Sequence, residues 1–351
     1  MSLLRPLAIR ILTMIGVFFV VLLMLVLTLG LTGYSDRILS AVVGEQMRAE
    51  RTSLAATIRD PDQLDKVLTK RKAEMEIFYG LTTPWYYRLP GMSGRVLLLD
   101  LGEARQLRSF DGSNRVIDIV LERLPNTMLL LTTSLLISTV VGLTVGSWMA
   151  TRAGSWLDRA MSIFAAISYA VPTWWIGILL ILVLSVRWRV LPSGSMFSTP
   201  PPTGGIARLG DLVWHAILPV LTLVLVEIGP YIYAIRTITL NIAQEDHVAI
   251  ARAKGLPESR VRNWHILRVA APPIVTGLIF GLAGSLSGSI LVETVFNWQG
   301  MGRLYYDALA GTPDEAVIVA LTFMFTLIYV GVRLLLEVLY IFLDPRVRYT
   351  N

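Results

Sequence analysis

The chain is 351 residues long, 54% hydrophobic and only 16% charged, with a mean hydropathy of +0.62. About a quarter of an ordinary soluble domain is charged, so the chain is unusual for one, and zero cysteines exclude a disulfide framework or a Cys-ligated zinc or iron–sulfur centre. A net charge of +6 would direct a soluble chain toward nucleic acid, but here much of the excess sits in short loops beside apolar runs, as in membrane proteins.

The first apolar run, 11–31, follows Arg5 and Arg10 and has about the 20 residues that one bilayer span needs. It exceeds a signal-peptide core and runs into Thr32-Gly33-Tyr34-Ser35-Asp36 rather than a small-residue cleavage site, so it reads as an uncleaved anchor helix. Residues 32–124 then form the one sizeable extramembrane piece. Within it, 38–59 and 60–78 read as amphipathic helices. Asp60-Pro61 opens the second with a capping side chain and a proline at the first helical position. Pro84 is followed by Trp85, Tyr86 and Tyr87, aromatic surface that fits either a partner protein or an anchor at the membrane face.

Further apolar runs at 127–150, 161–186, 212–234, 274–296 and 316–343 make six spans with the first. Gly142 and Gly146, and then Gly277 and Gly281, and Gly284 and Gly288, stand four apart in pairs, the spacing that lets helix backbones approach in lipid. Pro172 and Pro219 fall inside spans, where neighbouring helices can satisfy the freed carbonyl. Intramembrane ionisable groups are functional candidates because each is costly there. Glu227, Glu293, Arg333 and Glu337 qualify; Arg333 and Glu337, four apart, suggest an ion pair, and Glu293 lies near a span end where it could reach water. Glu227, followed by Gly229-Pro230, could open onto a cavity, so the candidate translocation-path residues are Glu227, Tyr231, Ser287 and Glu293.

With the N-terminus inside, the inner segments 1–10, 151–160, 235–272 and 344–351 carry twelve Lys/Arg, against four in the short outer segments 187–211 and 297–315. That bias puts both termini in the cytoplasm, the long 32–124 loop being exempt from the rule. The longest inner loop, 235–272, encodes a short delimited helix over 241–255. Asn241 and Gln244 have capping-box spacing, Glu245 and Asp246 suit the first turn, and Arg252 and Lys254 the last. Gly255 suits a left-handed cap, and Pro257 can open a second helix through Arg268 that Pro272-Pro273 would stop. Ala249, Ala251 and Ala253 keep the first helix low in profile. These features alone fit a helix lying on lipid headgroups as well as a seat for another protein.

The stretch Ala251-Arg252-Ala253-Lys254-Gly255-Leu256, preceded by Glu245-Asp246, resembles the cytoplasmic signature loop of ATP-binding-cassette importer permeases of the oligopeptide/dipeptide class. Gly80-Leu-Thr-Thr-Pro84, Glu122-Arg-Leu-Pro-Asn-Thr127, Ser168-Tyr-Ala-Val-Pro172, Gly210 through Pro219, and Leu343-Asp-Pro-Arg-Val-Arg-Tyr349 resemble the same family in the same order. The likeness covers nearly the whole chain and is to the first of two permease subunits. Three places depart from the pattern: Ala249-Ile250 stands for Arg-Thr, Gln299 stands for Pro, and the outer loop is enlarged between Gly44 and Glu76.

The resemblance implies an all-α integral membrane protein of the type I importer permease fold, with six transmembrane helices and an extracytoplasmic helical insertion after the first. Its parts would be 1–31, 32–124 and a five-helix core 125–351. It implies a second homologous permease, two ATPase subunits and an external substrate-binding protein in a cell membrane. Glu245, Asp246, Ala251, Arg252, Ala253, Lys254, Gly255 and Leu256 would contact an ATPase, and Trp85, Tyr86 and Tyr87 the binding protein. No Gly-x-x-x-x-Gly-Lys-Ser/Thr loop is present, so this chain is expected to bind no cofactor, ATP and magnesium serving the partner ATPases. The cargo would be di- or oligopeptides, with oligosaccharides, nickel chelates or glutathione as the family's alternatives. A different class, an intramembrane hydrolase, finds no support in His215, His247 and His265, which lie at or outside span ends. A channel finds none either, since no selectivity ring is marked in the spans.

Overall fold

The computed structural model describes residues 4–31, 33–55, 58–84, 86–87, 101–104, 106–286, 290–310 and 314–343. Among these the chain is helical, with a single isolated bridge between Glu103 and Arg115. Helices α1 (Leu4–Leu31), α2 (Tyr34–Ala55) and α3 (Pro61–Phe78) come first. Next are α4 (Val116–Ala150), α5 (Trp156–Ala170), α6 (Thr173–Arg187) and α7 (Gly205–Ala243). The short α8 (Asp246–Ala253) leads to α9, which starts at Glu258–Arg260, widens into a π segment over Val261–Leu267 and runs on as Arg268–Leu286. Helices α10 (Ile290–Val295), α11 (Met301–Leu309) and α12 (Glu315–Leu343) complete it.

By length and composition four stretches can cross a membrane: α4, α7, Glu258–Gly281 of α9 and Ala316–Leu334 of α12. Helices α5 and α6 make a fifth if taken together, and Leu12–Val21 is a shorter apolar stretch of α1. The span expected over 161–186 is therefore two helices, meeting at 97°. Pro172 causes the break: it disfavours helical backbone at Val171, which is extended at φ −88° and ψ 128°. The span expected over 274–296 is also corrected. Pro272-Pro273 does not stop a helix but lies inside α9, so the crossing stretch begins before residue 274. Just upstream the helix is in π register, a common accompaniment of disturbed helical bonding. The Thr276 hydroxyl donates to the Pro272 carbonyl at 2.7 Å.

The chain forms two compact units, residues 9–122 with 305–327 and residues 1–8 with 123–304 and 328–351. In the former, α2 and α3 lie antiparallel, joined by the Gln46 amide and Tyr79 hydroxyl at 2.9 Å and by Arg71 and Glu50 at 3.2 Å. The Asp60 side chain accepts from the Asp62 amide at 3.1 Å, with Pro61 in the first turn as the sequence predicts. The Gln106 amide donates to Asp314 at 3.0 Å, fastening the 101–116 turn to the start of α12.

In the other unit, α7 is the central element. Gly142 and Gly146 sit against it: a Cβ on Gly146 would come 2.7 Å from the Ile232 carbonyl, and one on Gly142 2.9 Å from Ile235. The small-residue spacing in α4 is thus a close packing seam. The series in α9 is not continuous, because Gly281 abuts the Tyr231 hydroxyl whereas nothing lies within 4 Å of a Cβ on Gly277. Two apolar clusters flank α7. One joins Leu130 and Leu131 of α4, Leu218 and Leu223 of α7, and Phe296 and Trp298 beyond α10. The other gathers Ile235 and Ile242 of α7 with Val248 and Ala251 of α8 and Ile266 and Ala270 of α9.

Candidate functional site

Helix α8 is held by that second cluster. Val248 is fully buried and Ala251 is 3% exposed, while Asp246, Ala249, Ile250, Arg252, Ala253, Lys254 and Gly255 are exposed. Helical spacing of 100° per residue sends positions 248 and 251 to one side and 249 and 253 to the other. This corrects the expectation for Ala251: it anchors α8 from within, and the low outer surface is built by Ala249 and Ala253. Leu256 is half-buried against the same cluster.

The start of the helix differs from the capping-box reading. Asn241 belongs to α7, which runs on to Ala243, and Gln244 follows that helix as its C-cap. Glu245 is the extended N-cap of α8, at φ −74° and ψ 150°, and makes no side-chain capping bond. Asp246 occupies the first turn, where a carboxylate suits the helix dipole. The other end matches expectation. Gly255 has φ +74°, its amide donates to the Arg252 carbonyl at 2.9 Å, and the Leu256 amide reaches the Ala251 carbonyl at 3.4 Å. That pair of bonds is a Schellman closure. Lys254 is the exposed C-cap residue, and Arg252 meets Glu258 at 2.8 Å across the turn. Both partners of that pair are exposed, so it contributes little stability. The His247 Nε2 lies 2.9 Å from the His265 carbonyl, linking α8 to the π segment of α9.

A feature absent from the sequence reading supports this end of the core. Arg236, about two turns before the end of α7, grips Asp158 of α5 through Nε to Oδ1 and through Nη2 to Oδ2 at 2.6 Å. The Asp158 and Arg236 side chains are 5% and 16% exposed. The local signal was Ser155-x-x-Asp158: Ser155 caps α5 by accepting from the Asp158 amide at 3.2 Å, and Asp158 accepts from the Gly154 amide at 2.9 Å.

The path candidates separate. Glu227 and Tyr231 stand four apart on α7, Glu227 half-buried and Tyr231 lining a cavity of about 240 Å³ between α7 and α9. Ser287 lies outside the described residues. Glu293 does not reach water. It is 1% exposed, and its oxygens accept from the Thr127 hydroxyl at 2.8 Å and the Arg303 amide at 3.0 Å. Gly300 precedes α11 and has no side chain to cap it, so the Glu293 carboxylate serves as the cap from eight residues or so upstream. The Thr127 hydroxyl also accepts from the Met301 amide at 2.7 Å. Gln299 joins the same network: its side chain accepts from Arg123 and its carbonyl from Asn126 at 2.7 Å. Glu122-Arg-Leu-Pro-Asn-Thr127 and the segment around Gln299 are thereby two halves of one structure.

Of the aromatic trio, Trp85 lies outside the described residues. Tyr86 and Tyr87 are 53% and 72% exposed, their ring centroids 4.8 Å apart. For the Arg333–Glu337 pair, the side chain of Glu337 is outside the described set. Among the described residues no group of His, Cys, Asp or Glu is arranged to hold a metal ion.

Among the described residues, a helical core with several membrane-length helices and a capped helix packed on the end of the longest one defines a membrane-embedded helical protein. Residues 142–349 match the family described as the binding-protein-dependent transport system inner membrane component. The oligopeptide transport system permease protein AppB of Bacillus subtilis is 30% identical over 329 residues, 92% of this chain and 95% of that protein. The oligopeptide permease OppB of Mycobacterium tuberculosis is 36% identical over 215 residues, 60% of this chain and 66% of that protein. The dipeptide permease DppB of Escherichia coli is 31% identical over 233 residues, 62% and 68% of the two chains. Among solved structures, the methionine ABC transporter MetNI in an inward-facing form superimposes with a TM-score of 0.53 at 16% identity, over 66% of this chain and 99% of that one, and shows the fold. The chain belongs to this inner-membrane permease family of ATP-binding-cassette importers, with the type I importer permease fold, and is a transporter subunit rather than an enzyme.

Proposed function

We propose that the chain is one of two permeases in a di- or oligopeptide importer, with both termini in the cytoplasm and residues 32–124 outside. The twelve-to-four Lys/Arg bias supports that orientation, and the names of relatives that match over most of the chain support the cargo. In this reading a second permease completes the path, two ATPases use ATP and magnesium, and a substrate-binding protein delivers peptide outside. Trp85, Tyr86 and Tyr87 meet the binding protein.

The single observation that carries the reading is α8 itself. It is a helix fixed by Val248 and Ala251, closed by Gly255, and open on a face of alanines and Ile250 with Asp246 and Lys254 at its ends. Such a face fits a groove on an ATPase, and its mounting on both α7 and α9 passes any displacement directly to the core. ATPase closure then biases the permease pair between two conformations.

The test is ATP hydrolysis by the complete reconstituted complex with its binding protein. Tri-alanine should stimulate hydrolysis and accumulate inside the vesicles, whereas maltotriose, a nickel chelate and glutathione should not. Stimulation by one of those three and not by peptides would refute the cargo.

A further inference from the structure

Residues 127–150, 160–186, 216–235 and 269–286, the middle segments of α4 to α7 and α9, contain no Lys, Arg or His, yet Glu227 stands within the third of them. It is half-buried, and among the described residues neither a hydrogen bond nor an ion pair engages it. A charged carboxylate at this depth costs a few kcal/mol, roughly, unless a cation or a proton answers it. Glu293 shows the contrast, with its oxygens taken up by a hydroxyl and backbone amides.

One helical turn past Glu227, which does not itself line it, a cavity opens beside α7. Residues 227, 231, 235 and 238 recur at helical spacing on one face of α7. Tyr231, Ile235 and Ile238 of that face, with Pro273, Ile274 and Gly277 of α9, line the cavity of about 240 Å³. Space remains open over Gly277. Three residues after Glu227, Pro230 lies inside the helix and has no N–H. The Val226 carbonyl therefore lacks its helical donor and is a free acceptor on the same helix. A carboxylate, a freed carbonyl and an apolar groove match a primary ammonium, which carries three donors, followed by an uncharged chain.

We propose that Glu227 binds the free N-terminal amine of the peptide as it passes along α7, which makes it a specificity-determining residue of the path. The inference rests on the peptide reading above. The test uses the full reconstituted complex and compares uptake of tri-alanine with N-acetyl-tri-alanine, in the wild type, Glu227→Gln and Glu227→Asp. Discrimination by the binding protein is common to all three and cancels in each variant-to-wild-type ratio. Glu227→Gln should slow tri-alanine uptake about tenfold, the scale of one charge-assisted hydrogen bond, while leaving N-acetyl-tri-alanine uptake and basal ATP hydrolysis unchanged. Glu227→Asp should recover most of the tri-alanine uptake. Equal slowing of both peptides by Glu227→Gln would assign the residue to structure or to a proton and overturn the proposal. So would unchanged uptake of tri-alanine, or failure of Glu227→Gln to assemble with the ATPases. If the wild type imports neither peptide, the peptide reading itself falls.

Discussion

Replacing Gly255 by valine tests the closure of α8 with little else disturbed. A Cβ at this position would meet nothing within 4 Å, so the substitution adds no collision. The cost is confined to the backbone, since φ is +74° and an L residue in the left-handed region loses about 1–2 kcal/mol. At 1.4 kcal/mol per factor of ten, the equilibrium shifts roughly 5- to 30-fold away from the Schellman turn. The bonds from Gly255 to Arg252 and from Leu256 to Ala251 open first, and Lys254 and Leu256 leave their places. Uptake and ATP hydrolysis measured side by side in proteoliposomes should show lost transport in Gly255→Val, with normal insertion and hydrolysis that is weak or uncoupled. Gly255→Asn should be milder, because asparagine visits the left-handed region more readily. Wild-type transport by Gly255→Val, or equal damage from the two substitutions, would refute the role given to this turn.

Three further outcomes are expected. In intact cells, cysteine at Ser53 should react with an impermeant thiol reagent added outside and cysteine at Ser259 should not; both sites are exposed, so the opposite labelling would invert the topology. Asp158→Ala strands Arg236 in a buried site and should destabilise the detergent-solubilised protein by about 3–5 kcal/mol, while Asp158→Ala with Arg236→Met should recover most of the loss; a single variant that melts like the wild type would show that the pair is no clamp. Deleting residues 44–76 removes most of the α2–α3 hairpin and should weaken stimulation by loaded binding protein while sparing basal hydrolysis, and unchanged stimulation would end the docking idea.

The parts of this fold that local chemistry encodes were legible in the sequence. Asp60-Pro61 and Gly255 each impose a backbone state that few other residues accept, and both are found where expected. The misreadings came from local rules overridden by neighbours. Asn241 and Gln244 have the spacing of a capping box, yet α7 continues through Asn241 because Ile242 is drawn into the cluster that also holds Val248. Pro272-Pro273 reads as a stop, but inside a packed bundle the chain gains more by staying helical. Ala251 was placed on the outer face by composition, where a count of 100° per residue from Val248 would have turned it inward. The pairings of Asp158 with Arg236 and of Thr127 with Glu293 had no sequence signal, the partners being 78 and 166 residues apart.

The second of those separations has a consequence for how the protein is made. Ribosomes add about 5–20 residues per second, so Glu293 emerges roughly 8 to 33 s after Thr127, its partner. Through that interval the Thr127 hydroxyl and the Asn126 amide have neither the carboxylate nor the Gln299 carbonyl they finally contact. The end of the core carrying α8 waits far less, since α7, α8 and the start of α9 are consecutive. The nascent chain should therefore consolidate its α8 end first and leave the Thr127 end of α4 loosely held until the last sixth of the chain is inserted. Premature release of chains ending before residue 293 should yield products that still bury Val248 but are cleared by membrane proteases.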